Sequence, residues 1–453
     1  MSNKKLMLLC LLVSCLFIFI TQNAMAGADW KEKQEQMFAQ IPVKPGDVVT
    51  ASNWEKVKGL LPEPFLEHGV KTGDWILKIG EYEYDHDYDA AYYGLSAKNK
   101  GKYGLGSNKE IIDLATGIFP MYVEGRPFPE IDAKNDPDGP IKVMHNKDQG
   151  VYIQGTYEGI TYPSDGNLKW IGRKSGFERS VGFVTARNYW WNRPDGEIPN
   201  PRKYLSTTRL LTTFPSDLNG TATLYIRHLD GRSDSMYAYV PAIRRVKRLS
   251  GANRSDPQMG SDQTMDDAGG FNGHIESMDW SFIDKKIMLR PTWYQDAKEI
   301  RKLKTNKIGA YEWNSTDCTT MGYMKEGWTG APWAYTNLVW IPRETYIFKA
   351  VPKDPYYNYG FMEICVDKLT EACTFNMKYT KAGEFWKYIV QATGPATFLD
   401  GRNFFSIDGP MCVVDVKTDH ASNLDMDGNL MNWVTPRVNP RNHTPQNLKT
   451  LSR

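Results

Sequence analysis

The stretch "RSDPQMGSDQTMDD", residues 254–267, gathers Asp256, Asp262, Asp266 and Asp267 around a Gly-Ser-Asp turn. It follows a basic, strand-like run, "MYAYVPAIRRVKRLSG", that carries Arg244, Arg245, Lys247 and Arg248. Clustered carboxylates can hold a cation, serve as acid and base, or pair with arginines. No histidine or cysteine lies within the stretch, so a nucleophile or a mixed metal-ligand set has no local source. A functional role would set the loop at a cavity mouth, to gate entry or dock a partner; the residue chemistry favours the structural role, in which Arg–Asp pairs with the preceding basic strand pin a long connection across the sheet's edge.

Two other acidic stretches can be read for chemistry. "EYEYDHDYDAAYYG" (81–94) alternates carboxylates with aromatics, which suits a cation, a sugar face or simply an exposed strand. "DMDGN" (425–429) resembles the start of a calcium loop but lacks the downstream bidentate glutamate, so a plain turn is the better reading. Histidines at 68, 86, 145, 228, 274, 420 and 443 are scattered, none with an i,i+4 partner. No Gly-x-Ser-x-Gly elbow, His-Glu-x-x-His, phosphate loop or dinucleotide fingerprint is present. No spacing singles out a carboxylate pair for cleaving a glycan. The residues alone therefore name no catalytic group, cofactor or metal site, although a triad assembled in space would leave no such motif.

The elements that position such residues begin after a leader. Lys4 and Lys5, an apolar run from Leu6 to Ile20, and "AMA" before Gly27 have the layout of a secretory signal peptide, with cleavage expected after Ala26. "LVSC", ending at Cys15, offers a second reading as a lipoprotein box. Removing the leader takes two lysines from the 55 basic residues and nothing from the 53 acidic ones, leaving the remainder balanced. That argues against nucleic acid, or an anionic membrane surface, as the main partner. Cys318, Cys365, Cys373 and Cys412 follow the leader. In an exported chain they read as disulfides: Cys365 with Cys373 across a hairpin, then Cys318 with Cys412 by elimination.

"SNWEKVKGLLP" reads as a helix with a Ser52/Glu55 capping box, and residues 80–165 as long loops on a body. From 203 to 249, three β-rich runs joined by Asn219-Gly220 and Asp230-Gly231 form an antiparallel meander. Strand-like runs continue to residue 379, and beyond residue 100 only "AGEFWKYIVQA" suggests a longer helix. The domain reading is an N-terminal helical and loop region at 27–110, a β-sheet body at 111–415 and a polar C-terminal arm at 416–453. The fold class is mainly β (α+β). Trp170, Tyr189, Trp190, Trp191, Trp280 and Trp340 are candidates for a cavity lining or a core.

"YVPAIRRVKRLSGANRSDPQMGSDQTMDD" resembles a signature of outer-membrane-lipoprotein-sorting-like proteins, within the LolA/LolB-like carrier superfamily. "KPGDVVTASNWEKVKGLLPE", "YVEGRPFPEIDAKNDPDGPIKVMHN", "VPKDPYYNYGFMEICVDKLT" and "KAGEFWKYI" are similar to its long periplasmic branch. In that signature Arg254, Asp256, Gly260, Ser261, Asp262 and Asp267 stand at the loop, and Gln263 replaces a more usual apolar residue. The resemblance implies a curved antiparallel sheet forming an incomplete barrel, closed by helices and loops. It also implies periplasmic binding and transfer of a lipid or other hydrophobic ligand. An exporter of the resistance-nodulation-division type and an outer-membrane protein are the implied partners. A glycan-acting enzyme and a ligand-free structural component of an exporter complex are the alternatives.

Overall fold

The computed structural model describes residues 30–452 apart from 82–89, 121, 153–160, 191–198, 251–253, 293–300, 303, 306–310, 315–319, 398–402, 407–409, 426–429 and 434–439. Its elements are helix α1 (30–38), β1 (Val48–Val49), β2 (Leu77–Ile79), α2 (Ala90–Ala97), α3 (Gly139–Tyr152), β3 (Thr161–Gly172), β4 (Gly176–Tyr189), β5 (Tyr204–Phe214) and β6 (Ala222–His228). There follow β7 (Ser235–Val240), β8 (Arg245–Leu249), β9 (Met278–Thr292), β10 (Val339–Pro352), β11 (Phe361–Asp367), β12 (Cys373–Tyr379), β13 (Phe385–Gln391), β14 (Met411–Asp415), β15 (His420–Asp425) and α4 (Pro445–Leu451). Shorter strands lie between and beyond these.

Strands β9 to β15 form one run of antiparallel neighbours and β3 to β8 form another. The two join because β15 pairs antiparallel with β3, His420 opposite Gly172 through Asp425 opposite Asn167. The result is a large, mainly β fold whose sheet does not close into a barrel. β15 thus sits in the middle of the sheet, and α4 packs Leu448 against Leu224, Ile226 and Tyr239. The C-terminal segment is therefore not the surface arm its polar composition suggested. Composition reports average exposure, whereas strand pairing depends on backbone groups that every residue carries.

The expected meander at 203–249 is present, with one change. "SMYAYVPAIRRVKRL" is a hairpin rather than a single run. Pro241–Ile243 form a single helical turn and Arg244 takes a left-handed backbone conformation (φ 49°), so the chain doubles back and β8 pairs with β7. Three other elements differ from expectation. The Ser52 helix is a short 3-10 turn at Trp54–Val57, where Asn53, not Ser52, accepts the Thr50 N–H at 2.7 Å. "AGEFWKYIVQA" contributes strand β13, because Tyr388, Ile389 and Val390 are buried on both faces of the sheet. The region read as loops contains the 14-residue α3, which begins Gly-Pro, and proline suits a helix's first turn.

Both faces of the sheet are covered. On one, Phe65 from the N-terminal segment packs on Trp75, Trp340, Phe375 and Tyr388, with ring centroids 5.1–5.8 Å apart. Val49, Leu61, Leu77 and Trp333 complete this core. Truncating a ring such as Phe65 to alanine removes on the order of 3–5 kcal/mol. On the other face, Met144 of α3 with Phe271 and Ile275 of the 254–277 loop cover Phe348, Met362, Ile364 and Val366.

Candidate functional site

The 254–277 loop lies on the sheet through charges that are themselves buried. Arg254 donates Nε to Asp266 Oδ1 at 2.6 Å and a terminal nitrogen to the Asn272 carbonyl at 2.8 Å, and its other nitrogen reaches Asp234 Oδ2 at 2.8 Å. Tyr357 donates its hydroxyl to Asp266 Oδ2 at 2.7 Å. Asp267 pairs with Lys378 of β12 and accepts the Thr264 N–H at 2.8 Å. Asp262 faces His420 at 2.6 Å and accepts the Ser422 hydroxyl at 2.9 Å. Asp256 accepts an Asn358 amide hydrogen at 3.0 Å.

The backbone explains how the loop gets so close. Gly270 has φ +79°, and a Cβ there would lie 2.7 Å from the Cys373 carbonyl oxygen, so only glycine fits. Asn376 donates to the Gly270 carbonyl at 3.0 Å, and Trp170 donates its indole N–H to the Gly260 carbonyl at 3.0 Å. Ser261 is buried and donates its hydroxyl to the Gln263 carbonyl at 3.2 Å. Gln263 is buried too, so the position faces inward although its side chain is polar.

These partners correct the expected pairing. None of Asp256, Asp262, Asp266 and Asp267 pairs with Arg244, Arg245, Lys247 or Arg248 among the described residues. The aspartates instead reach Lys378, His420 and Ser422 on strands more than a hundred residues further along the chain. Sequence proximity pointed to the adjacent cations, but the hairpin turn carries β8 away from the loop.

The charges set one another's protonation. Burial works to raise the Asp234 carboxyl, but Arg227 and Arg254 pull harder and hold it at about 2. Burial raises Tyr357 well above the ordinary phenol range, helped by Asp266. The hydrogen bond to Asp262 raises His420.

Helix α3 rides on this face with a recess on each side. One flank, through His145 and Asp148, borders a small cavity of about 40 Å³ shared with Arg187, Arg227, Asp234 and Arg254 on the polar side and Ile111, Phe119 and Leu205 on the apolar side. That is room for a few waters. The other flank, through Val143 and Asn146, borders an open groove of about 790 Å³. Phe128, Ile131, Phe282, Tyr346 and Leu369 line the groove, with Lys285 and Lys368 beside them. Phe348 backs this floor, stacked on Tyr346 at 5.6 Å and tilted against Phe282 at 6.4 Å.

A clamp closes one end of the groove. Arg126 Nε lies 2.9 Å from Glu371 Oε1, and Arg126 also donates to the Leu369 carbonyl. Glu371 has φ +54° and accepts from Asn146 at 3.3 Å. Burial lifts its carboxyl to about 7 against the pull of Arg126. Nearby, Asp367 sits between Arg343 at 2.7 Å and Arg290 at 2.8 Å.

The four described aromatic candidates do not converge on either recess. Trp340 belongs to the core of the opposite face, and Trp190 donates to Thr207 Oγ1 at 2.9 Å. Trp280 packs edge-on to Phe271 at 5.3 Å and donates to the Ile275 carbonyl at 2.8 Å. Trp170 lies under the loop. The Tyr189 side chain and Trp191 lie outside the described residues, as do 82–89 and 426–429 of the two other acidic stretches. Groove residues Phe282 and Tyr346 were missed, because nothing marks an aromatic in an alternating strand as half-exposed, and Phe128 was missed because it is a buried residue in a stretch read as loop.

The disulfide reading is also corrected. Cys365, Cys373 and Cys412 are unbonded and buried, and Cys318 lies outside the described residues. Cys365 opposes Phe375, and a register shift follows, so Cys373 opposes Val366. Cys365 therefore joins the core on one face and Cys373 the core on the other. Burial raises the Cys373 thiol to about 11.

A family model described as "Protein of unknown function (DUF1329)" matches residues 48–449. A putative outer membrane lipoprotein-sorting protein domain from Vibrio parahaemolyticus is similar in structure, at 14% identity and TM-score 0.44, over 69% of this chain and 100% of that one. A DUF1329 family protein from Desulfovibrio piger matches at 16% identity and TM-score 0.44, with the same coverage. A LolA superfamily protein from Nitrosomonas europaea matches at 9% and 0.39, over 67% of this chain and 97% of that one. No curated protein matches the chain in sequence.

Proposed function

The chain belongs to the DUF1329 family, and on that premise we propose that it is a periplasmic carrier for a lipid or other hydrophobic molecule. The ligand sits in the groove between α3 and strands β9 and β10 and is handed on between envelope partners without covalent chemistry. The groove carries this reading: about 790 Å³, floored by Phe282 and Tyr346, walled by Phe128, Ile131 and Val143. Ligand sites are typically concave and about 300–1,000 Å³; this groove has that size, and Glu130, Asp132 and Lys134 line it together with the apolar residues. Each methylene moved from water into such a groove contributes roughly 0.8 kcal/mol. Lys285 and Lys368 stand at the same groove, where a polar head can face them and the solvent.

The leader read at residues 1–26 supports delivery to the periplasm. The sequence resemblance supports an exporter of the resistance-nodulation-division type and an outer-membrane protein as donor and acceptor.

The test is organic extraction and mass spectrometry of protein purified from its native envelope. The expected result is a hydrophobic species at near-stoichiometric yield. Phe282→Ser and Ile131→Asn should retain much less of it, with circular dichroism at the extraction temperature verifying that both are folded. An empty wild-type protein, or a ligand retained at full yield in both variants, overturns the proposal.

A further inference from the structure

Among the described residues strand β8 is bonded on one side only, to β7, from Arg245 opposite Val240 through Leu249 opposite Met236. The turn between them projects Val240, 37% exposed, and Ile243, 44% exposed. Arg244, Arg245, Lys247 and Arg248 follow immediately, all exposed. Among the described residues no carboxylate lies in ion-pair range of any of these four cations; the loop aspartates that follow them are committed elsewhere. Behind the hairpin, Leu448 and Leu451 of α4 pack against Val246 and Tyr237, so the hairpin is backed rather than free-standing.

We propose that the β7–β8 hairpin docks the protein on an anionic phospholipid surface, with Val240 and Ile243 entering the acyl boundary and the four cations meeting the phosphates. This stands apart from the carrier reading and does not depend on what the groove holds.

The order of side chains matches the polarity gradient of a bilayer interface. Apolar residues lie at the tip, and long basic side chains sit within a few residues of it, able to reach the headgroups. Overall charge balance hides this arrangement, because it averages a local excess over the whole chain. Charged edge strands also discourage strand-to-strand aggregation, but that role needs no apolar tip. A stable protein interface buries about 800 Å² on each partner. A turn exposing two large apolar side chains supplies too little for that, yet enough for a shallow membrane contact reinforced by charge.

Vesicle co-sedimentation of the envelope-purified protein tests the assignment. The probes are phosphatidylcholine vesicles with and without about 30 mol% phosphatidylglycerol, since polybasic attraction requires anionic lipid. Binding is expected only with the anionic lipid, and it should weaken as salt rises. Each cation near the surface accounts for about a fivefold change in affinity, so Arg244→Ser/Arg245→Ser should bind about 25-fold more weakly. Ile243→Ser should also weaken binding, whereas Lys56→Ser/Lys58→Ser, which removes two exposed lysines elsewhere, should not. All these side chains are exposed, so unchanged melting temperatures will verify folding.

Equal binding to both vesicle types, no binding to the anionic one, or full binding by Arg244→Ser/Arg245→Ser overturns the proposal. So does cross-linking of the hairpin to an envelope protein without any vesicle binding. Loss of ligand from the groove variants with intact vesicle binding would separate the two functions.

Discussion

Asp262 in the loop and His420 on β15 stand 2.6 Å apart although 158 residues separate them in the chain. Their contact fixes the loop to the strand that joins the two halves of the sheet. Glu178 approaches the same ring at 3.4 Å.

This pair makes stability depend on pH. The His420 value is raised above the ordinary 6.5, so the folded protein holds the proton more tightly than the unfolded chain. Its contribution is complete below about 6.5 and is lost as pH rises through the raised folded value. The melting temperature of the wild type should fall more steeply from about pH 6 to 8 than that of His420→Asn. Parallel profiles would show that the contact carries no linked proton.

Asp267 and Lys378 are each 1% exposed at their side chains and face one another. Removing one member strands a buried charge, which costs about 3–5 kcal/mol. Asp267→Asn and Lys378→Met should each show a loss of this order in urea unfolding. The double variant Asp267→Asn/Lys378→Met should be less destabilised than the sum of the two. Simple additivity would mean the residues do not act as a pair.

Glu371 gives a second pH signature, at the groove. Its folded value near 7 lies above the ordinary 4.5, so stability should decline as pH rises from 4.5 through 7. Glu371→Gln, which keeps the neutral shape, should flatten that part of the profile. A steeper decline in the variant would mean that Arg126 dominates over burial.

Cys365, Cys373 and Cys412 are unbonded, so alkylation of the unfolded protein without reductant should label all three, as read by peptide mass spectrometry. The folded protein should resist the same reagent, because all three thiols are buried. Reductant should leave the melting temperature unchanged; a large drop would reveal a bond among them.

The sequence by itself determined the local units. Alternating apolar residues and the Asn219-Gly220 and Asp230-Gly231 turns specify the meander of β5, β6 and β7, because side-chain period and turn chemistry are short-range properties. The 254–267 stretch was legible as a charged structural loop from its residues, and the family resemblance marked it as a signature. What those charges do was not legible, since the nearest cations in sequence are not their partners in space. Tertiary structure decided that Asp267 meets Lys378, that β15 joins the two halves of the sheet by pairing with β3, and that Phe282 and Tyr346 floor a groove. It also split the cysteines between two faces through one shift of register between Cys365 and Val366. Each of these depends on which distant strands pair, and pairing is set by the whole sheet's packing rather than by any one segment.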